Sequence, residues 1–139
     1  MPSYDYPRSM KKSKLPKPTE AELSILRVLW RQGPSTVREI WDQINPGQQT
    51  GYTTVLKISQ IMFEKGLLDR DERQRSHVYR PRLTEGQTQR QVVGHLLDRV
   101  FSGSACKLVM QALAVKKATP TELAEIRKLL DQLEEGGKE

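Results

Sequence analysis

Four hydrogen-bonding side chains that could bind the edges of nucleic-acid bases lie close together in one segment: Thr53, Thr54, Lys57 and Gln60. Hydroxyl, ammonium and amide groups bind base edges in the major groove of DNA. In the same segment Val55, Ile58 and Met62 fall at helical spacing. The segment is therefore predicted to be a helix with an apolar inner face and a polar outer face that could enter a DNA groove.

The flanking sequence predicts the elements that would hold this helix in place. The helix should begin at Tyr52, which would brace its N-terminus, and end at Lys65-Gly66, because glycine suits the left-handed position after a helix. Thr36 and Glu39 form a capping box that starts a preceding helix, which is expected to end at Asn45-Pro46-Gly47. Helix, turn and helix in this order predict a helix-turn-helix.

An earlier helix is predicted from a second capping box, formed by Thr19 and Glu22, and is expected to end at Gly33-Pro34. The two tryptophans, Trp30 and Trp41, fall in register with the apolar stripes of their helices. Both are interpreted as core residues that hold the three helices together.

The pattern after Gly66 predicts two short strands around a charged tip at 69–76, with the second strand ending at Pro81. This hairpin would be the wing of a winged helix. The arginines expected to contact the phosphate backbone are Arg73, Arg75 and Arg80 on the wing and Arg38 on the helix before the turn. Asp69, Asp71 and Glu72 are expected to be solvated or to pair with the wing arginines.

Positive charge is concentrated in the N-terminal part of the chain. The whole sequence has a net charge of +6; residues 1–97 contain 16 Lys or Arg and 10 Asp or Glu, whereas residues 98–139 contain seven of each. A positive field attracts DNA phosphates and gives salt-dependent affinity. A soluble basic protein without a nucleic-acid partner could show the same net charge, so charge alone leaves both interpretations open.

Length and composition limit the possible functions. The 139 residues suffice for one ordinary domain or for a small domain with an appendage. Residues 1–17 are predicted to be a disordered basic arm, 18–83 a DNA-binding domain and 84–136 a helical dimerisation domain. No apolar run is long enough to span a membrane and no signal peptide is visible, so we expect a cytoplasmic protein without membrane insertion.

The sequence gives no indication of catalysis. It has no phosphate-binding loop, no H-E-x-x-H motif and no nucleophile with a neighbouring base, so no catalytic residue is predicted. Cys106 is the only cysteine, which excludes an intrachain disulfide and a multi-thiol metal site. We expect no metal and no cofactor.

Three further helices are predicted after residue 84, each with an apolar stripe and with no other core to cover. The residues expected to form a dimer interface are Val93, Leu96, Leu97, Val100, Phe101, Leu108, Val109, Leu113, Ile126 and Leu130. Burial against a second copy would give a homodimer, whose two-fold symmetry matches that of many operators. The alternative is an intramolecular bundle on the winged domain, and a monomer at micromolar concentration would favour it.

These motifs together resemble the BlaI/MecI/CopY family of transcriptional repressors over about residues 18–135. The resemblance rests on the segments 18–30, 36–40, 52–55, 64–68, 77–81 and 121–130. It implies a mainly α fold with a small two- or three-stranded antiparallel wing, a winged helix-turn-helix followed by a C-terminal helical dimerisation region. The implied function is that of a homodimer that binds double-stranded, dyad-symmetric operator DNA and blocks transcription.

Three departures from the family pattern restrict what the resemblance implies. Family members that respond to beta-lactams are cleaved at an Asn-Phe bond by a membrane metalloprotease sensor, whereas this chain has Gln111-Ala112 there, which does not support that partner. Copper-responsive members carry a pair of C-x-C motifs that this chain lacks. Ile61 stands where the family often has Arg, so we expect Lys57 and Gln60 to take over its contacts.

A second function remains open at the level of sequence. A winged helix can serve as a protein-protein interaction module without direct DNA binding. This alternative would be favoured if the face of Thr53, Lys57 and Gln60 were covered by the chain itself or by a partner.

Overall fold

The computed structural model describes residues 17–137, which form six helices and three short strands. In chain order they are α1 (Glu20–Gln32), β1 (Ser35–Thr36), α2 (Val37–Gln48), α3 (Tyr52–Lys65), β2 (Leu68–Asp71), β3 (Val78–Pro81), α4 (Glu85–Arg99), α5 (Ala105–Val115) and α6 (Pro120–Gly137). Apart from Lys17, the predicted basic arm lies outside the described residues. The predicted class, mainly α with a small antiparallel wing, is confirmed.

Side-chain caps fix the starts of the first two helices, as predicted. The Glu22 amide donates to the Thr19 hydroxyl at 3.1 Å, and the Thr19 amide donates to the Glu22 carboxylate at 2.9 Å. The same reciprocal pair joins Thr36 and Glu39 at the start of α2. Each box satisfies backbone donors that a helix otherwise leaves without partners. After α1, Gly33 has a φ of 89°, in the region that glycine adopts more readily than other residues.

The predicted end of α2 at Asn45-Pro46-Gly47 is wrong, because the helix continues through Pro46 to Gln48. A proline removes one helical hydrogen bond, and here the loss falls in the last turn at an exposed position, where water can replace the donor. The helix is capped instead by Gln49, whose left-handed backbone brings its amide 2.6 Å from the Asn45 carbonyl.

One apolar core joins α1, α2, α3 and the strands. It comprises Ile25, Leu26, Val28, Leu29, Val37, Ile40, Ile44, Val55, Met62, Leu67, Leu68 and Tyr79. Trp30 and Trp41 pack against this core but are only partly buried. Their indole N–H groups donate to the carbonyls of Leu83 at 3.1 Å and Thr50 at 2.7 Å. The tryptophans therefore tie neighbouring loops to the core, a role that the prediction of core burial did not include.

The three strands form an antiparallel sheet in the order β1-β3-β2. Strand β2 pairs Asp69 with Arg80 and Asp71 with Val78. The predicted tip at 69–76 is therefore too long, because its first three residues belong to a strand. Charge does not exclude a residue from an edge strand, since its side chain can remain in water.

The chain divides into two compact units after Val92, within α4. The predicted domains 18–83 and 84–136 were assigned by function and stay a prediction. In the second unit Ser102 and Gly103 have positive φ values and separate α4 from α5. Helices α5 and α6 contain no buried residue. No helix within residues 17–137 combines the length and the apolar character needed to cross a membrane.

Candidate nucleic-acid interface

Helix α3 has two faces of opposite character. Its buried side chains are Val55, Ser59 and Met62, which recur every three or four residues and point into the core. The predicted DNA-binding residues Thr53, Thr54, Lys57 and Gln60 are all exposed. The structure thus brings these four together on one helix and leaves them accessible. Their contact with bases stays a prediction.

An aromatic contact connects α2 with the start of α3. The rings of Trp41 and Tyr52 meet edge to face with their centroids 6.1 Å apart. The guanidinium carbon of Arg38 lies 5.6 Å from the centre of the Trp41 ring. Because Gly51, the residue before α3, provides no side-chain cap, the Tyr52 contact fixes the start of the helix by packing. Arg38 is thereby placed beside the N-terminus of α3, as its predicted role at the DNA backbone requires.

A partly buried ion pair fixes the other end of α3. The Lys65 ammonium lies 2.7 Å from a carboxylate oxygen of Glu22, whose side chain is 4% exposed. Burial by itself raises the pKa of the Glu22 carboxyl, but the hydrogen bonds from Lys65 and from the Thr19 amide outweigh it and leave the pKa below its usual range. Glu22 therefore both caps α1 and holds the C-terminal turn of α3.

The sequence did not reveal this second role of Glu22, because nothing local relates positions 22 and 65. The only indication was the identity of Lys65 as a cation in the last turn of an amphipathic helix. The hydroxyl of Ser59 was also missed. It is fully buried without a hydrogen-bond partner among residues 17–137.

On the wing, Arg73 pairs with Asp71, the last residue of β2. Its guanidinium donates to both carboxylate oxygens of Asp71, at 3.0 Å from Nε and 2.7 Å from Nη2. This partner lowers the pKa of Asp71 to about 2, so the carboxylate stays ionised at neutral pH. Asp71 therefore pairs with Arg73, one of the two alternatives considered from sequence. The Arg73 side chain remains mostly exposed. Its guanidinium would have to bind a DNA phosphate while it is also paired with Asp71.

Two other wing arginines are more available. Within residues 17–137 neither Arg75 nor Arg80 has a carboxylate at ion-pair distance, and both are exposed. Arg82, by contrast, donates to Asp69 at 2.7 Å. Arg75 and Arg80 are therefore the wing cations whose charge is least neutralised within the protein.

Arg70 has a structural role, because its side chain is mostly buried in contacts within the protein. Its guanidinium stacks 3.9 Å from the centre of the Phe63 ring, and its Nε donates to Glu72 at 2.7 Å. Since Phe63 belongs to α3, this cation-π contact ties the wing to that helix.

Comparison with known proteins identifies relatives. The penicillinase repressor family model matches residues 18–132. The penicillinase repressor of Bacillus licheniformis is 21% identical over 126 residues, which cover 91% of this chain and 98% of that protein.

Similar solved structures include the DNA-binding domain of the repressor BlaI, with a TM-score of 0.47, 24% identity and coverage of 52% of this chain and 88% of that one. B. licheniformis BlaI in monomeric form with the blaP half-operator has a TM-score of 0.46 and 23% identity, and the match covers 52% of this chain and 89% of that one. A MarR family protein from Bacillus stearothermophilus has a TM-score of 0.47 and 15% identity, and the match covers 94% of this chain and 80% of that one. Since the family model spans residues 18–132 of a 139-residue chain, this protein belongs to the penicillinase repressor family, the resemblance that its motifs indicated.

Proposed function

We propose that this protein is a sequence-specific DNA-binding repressor that binds a dyad-symmetric operator as a homodimer. The observation that carries the proposal is the polar face of α3. It is exposed, it bears donors and acceptors suited to base edges, and the one cation of α2, Arg38, lies against the Trp41 ring that contacts Tyr52 at the start of α3. The relative named above as bound to the blaP half-operator supports DNA as the partner. Repression would follow from occupancy of a promoter by the bound dimer, and such a protein would act in the cytoplasm.

Each group of side chains has a distinct part in the proposed complex. Helix α3 would lie in the major groove with Thr53, Thr54, Lys57 and Gln60 directed at bases or nearby phosphates. Arg38 would hold one flanking stretch of backbone, and the wing arginines Arg73, Arg75 and Arg80 would hold the other. Phosphate contacts fix the register of the protein on the duplex, whereas base contacts supply the sequence preference.

The proposed dimer interface is supported by the apolar surface of the second unit. In the single chain Val93, Val100, Val109, Leu113 and Leu130 are between 38% and 62% exposed. The other predicted interface residues are partly buried: Leu96, Leu97, Phe101, Leu108 and Ile126. Exposed apolar side chains at this density are typical of an interaction surface. A second copy would cover them and present two copies of α3 to two half-sites.

The alternative, a protein-protein module without DNA binding, has less support. The face that bears Thr53, Lys57 and Gln60 is not covered by any part of the chain within residues 17–137. Coverage by the chain itself would have favoured that alternative. The net positive charge of residues 1–97 also suits DNA better than a protein partner of unspecified charge.

Replacing Lys57 by Ala should weaken operator binding, and the pattern of loss should assign its contact. If Lys57 binds a base, discrimination between operator and scrambled DNA should fall by about tenfold or more. If it binds a phosphate, both affinities should fall together and the salt slope should decrease by about one unit. Fluorescence anisotropy at several salt concentrations would measure both, with the exposed Lys128→Ala as the charge-matched control. Unchanged binding by Lys57→Ala would remove Lys57 from the proposed interface.

Two variants should show that an arginine without an ion pair contributes more to DNA binding than an arginine that is paired with a carboxylate. Arg80→Ala should reduce the slope of log affinity against log salt by about 0.9, the value for one lost phosphate contact on B-DNA. Arg82→Ala removes the same charge, but Arg82 is already paired with Asp69, so its effect on the slope should be smaller. Equal slopes for the two variants would contradict the assignment of Arg80 to the backbone.

A further inference from the structure

One apolar side chain on the outer part of α3 is unexplained by the fold. Ile61 is 37% exposed, whereas the next residue, Met62, is fully buried. The inward face of α3 is already formed by Val55, Ser59 and Met62, so Ile61 is not needed to fill the core. Ile61 also belongs to the first compact unit, whereas the residues proposed for dimerisation all belong to the second.

The helical period places Ile61 beside residues of the proposed DNA-binding face. It follows Lys57 by four positions and Thr54 by seven, so the three side chains form one row along α3. The next member of the row, Lys65, is held against Glu22 at 2.7 Å and is directed toward α1. The accessible part of the row therefore offers a hydroxyl, an ammonium and, after them, a branched alkyl group.

An alkyl group facing the major groove can recognise one base. The 5-methyl group of thymine is the apolar feature among the base edges of that groove, whereas guanine, cytosine and adenine present donors or acceptors that an alkyl side chain would leave without partners. We propose that Ile61 determines part of the operator sequence by packing against a thymine methyl group. This inference rests on the proposed function, because it needs α3 in the major groove. It assigns a base contact to Ile61 itself, whereas the sequence alone led us to expect Lys57 and Gln60 to take over the contacts of the arginine that the family often has at this position.

The test removes the methyl group and the side chain separately. DNA bound by the full-length wild-type chain would be selected from a random pool, and each thymine of the selected site would then be replaced by deoxyuridine. Affinities for the thymine and uracil versions would be measured by fluorescence anisotropy with wild type, Ile61→Ala and a control. The control, Val115→Ala, shortens an apolar side chain that is 84% exposed in α5, outside the proposed DNA-binding face. Circular dichroism would verify that all three proteins are folded.

We expect one thymine per half-site whose replacement by uracil lowers wild-type affinity about fourfold, the effect of burying one methyl group. Ile61→Ala should bind the two versions of that site within about twofold of one another, and Val115→Ala should behave as the wild type does. Sequence-specific binding in which every thymine tolerates uracil, or in which Ile61→Ala keeps the full methyl dependence, would overturn this inference and leave the repressor function standing. Failure to select any sequence at low salt would overturn both.

Discussion

Leu130→Asp is expected to make the protein monomeric and to lower its affinity for DNA with two half-sites more than about 100-fold, because a dimer gains affinity from simultaneous engagement of both sites. Leu130 is 54% exposed on α6 in the single chain, so the substitution should not unfold the protomer. At a dimer interface, however, it would bury a carboxylate without a partner. The effect on binding would therefore arise through lost association rather than lost folding.

Sedimentation equilibrium and anisotropy with one and with two half-sites would measure this result. The control is Gln132→Asp, which adds the same charge to the same helix away from its apolar stripe. It should remain dimeric. Affinity for a single half-site should change by less than about twofold in both variants, since the site residues are untouched. A Leu130→Asp protein that remains dimeric would contradict the proposed interface, and a wild-type monomer at micromolar concentration would favour the intramolecular alternative.

Lys65→Met should destabilise the first unit by about 2 to 4 kcal/mol, because it leaves the Glu22 carboxylate buried without its cation. We expect less than for a fully buried pair, since the Lys65 side chain is 34% exposed in the wild type. The methionine retains most of the apolar stem, so lost packing should contribute little. Urea denaturation at fixed protein concentration would measure the difference, with Lys57→Met as a control that removes an exposed cation from the same helix.

The cost of Lys65→Met should depend on pH in a defined direction. In the wild type the pKa of Glu22 is lowered in the folded state, so its stabilising contribution is present at neutral pH and is lost as the pH falls through that lowered pKa. In the variant the buried carboxylate gains from protonation. The difference in unfolding free energy between the two proteins should therefore shrink from pH 7 toward pH 4. A constant difference over this range would show that the ion pair does not hold α3 in place.

Local patterns in the sequence were sufficient to predict most elements of the fold. Capping boxes such as Thr19 with Glu22, and the glycines Gly33 and Gly66, act within one turn of the chain, so the residues that determine them are neighbours. Pro46 misled the prediction of a helix end because the cost of a proline depends on its position within the helix. The last three residues of β2 were assigned to the hairpin tip because pairing with β3, a distant segment, decides their conformation.

The candidate site was predicted less completely than the fold. The period of α3 correctly placed Thr53 and Lys57 on an accessible face, because the opposite face is apolar. Contacts between distant segments could not be inferred in the same way. Position 65 meets position 22, and Arg70 stacks on Phe63, only once the helices and the wing have packed. These contacts distinguish arginines and lysines that brace α3 from those that remain available to DNA, a difference that charge alone does not show.

In the proposed complex, two copies of α3 read an operator with two-fold symmetry. Selection of duplexes from a random pool by the full-length protein at low salt, followed by sequencing, tests it most directly. We expect an inverted repeat whose half-site centres lie about 10 base pairs, or a multiple of that, apart. Enrichment of no sequence, or of an asymmetric site without a repeat, would contradict it.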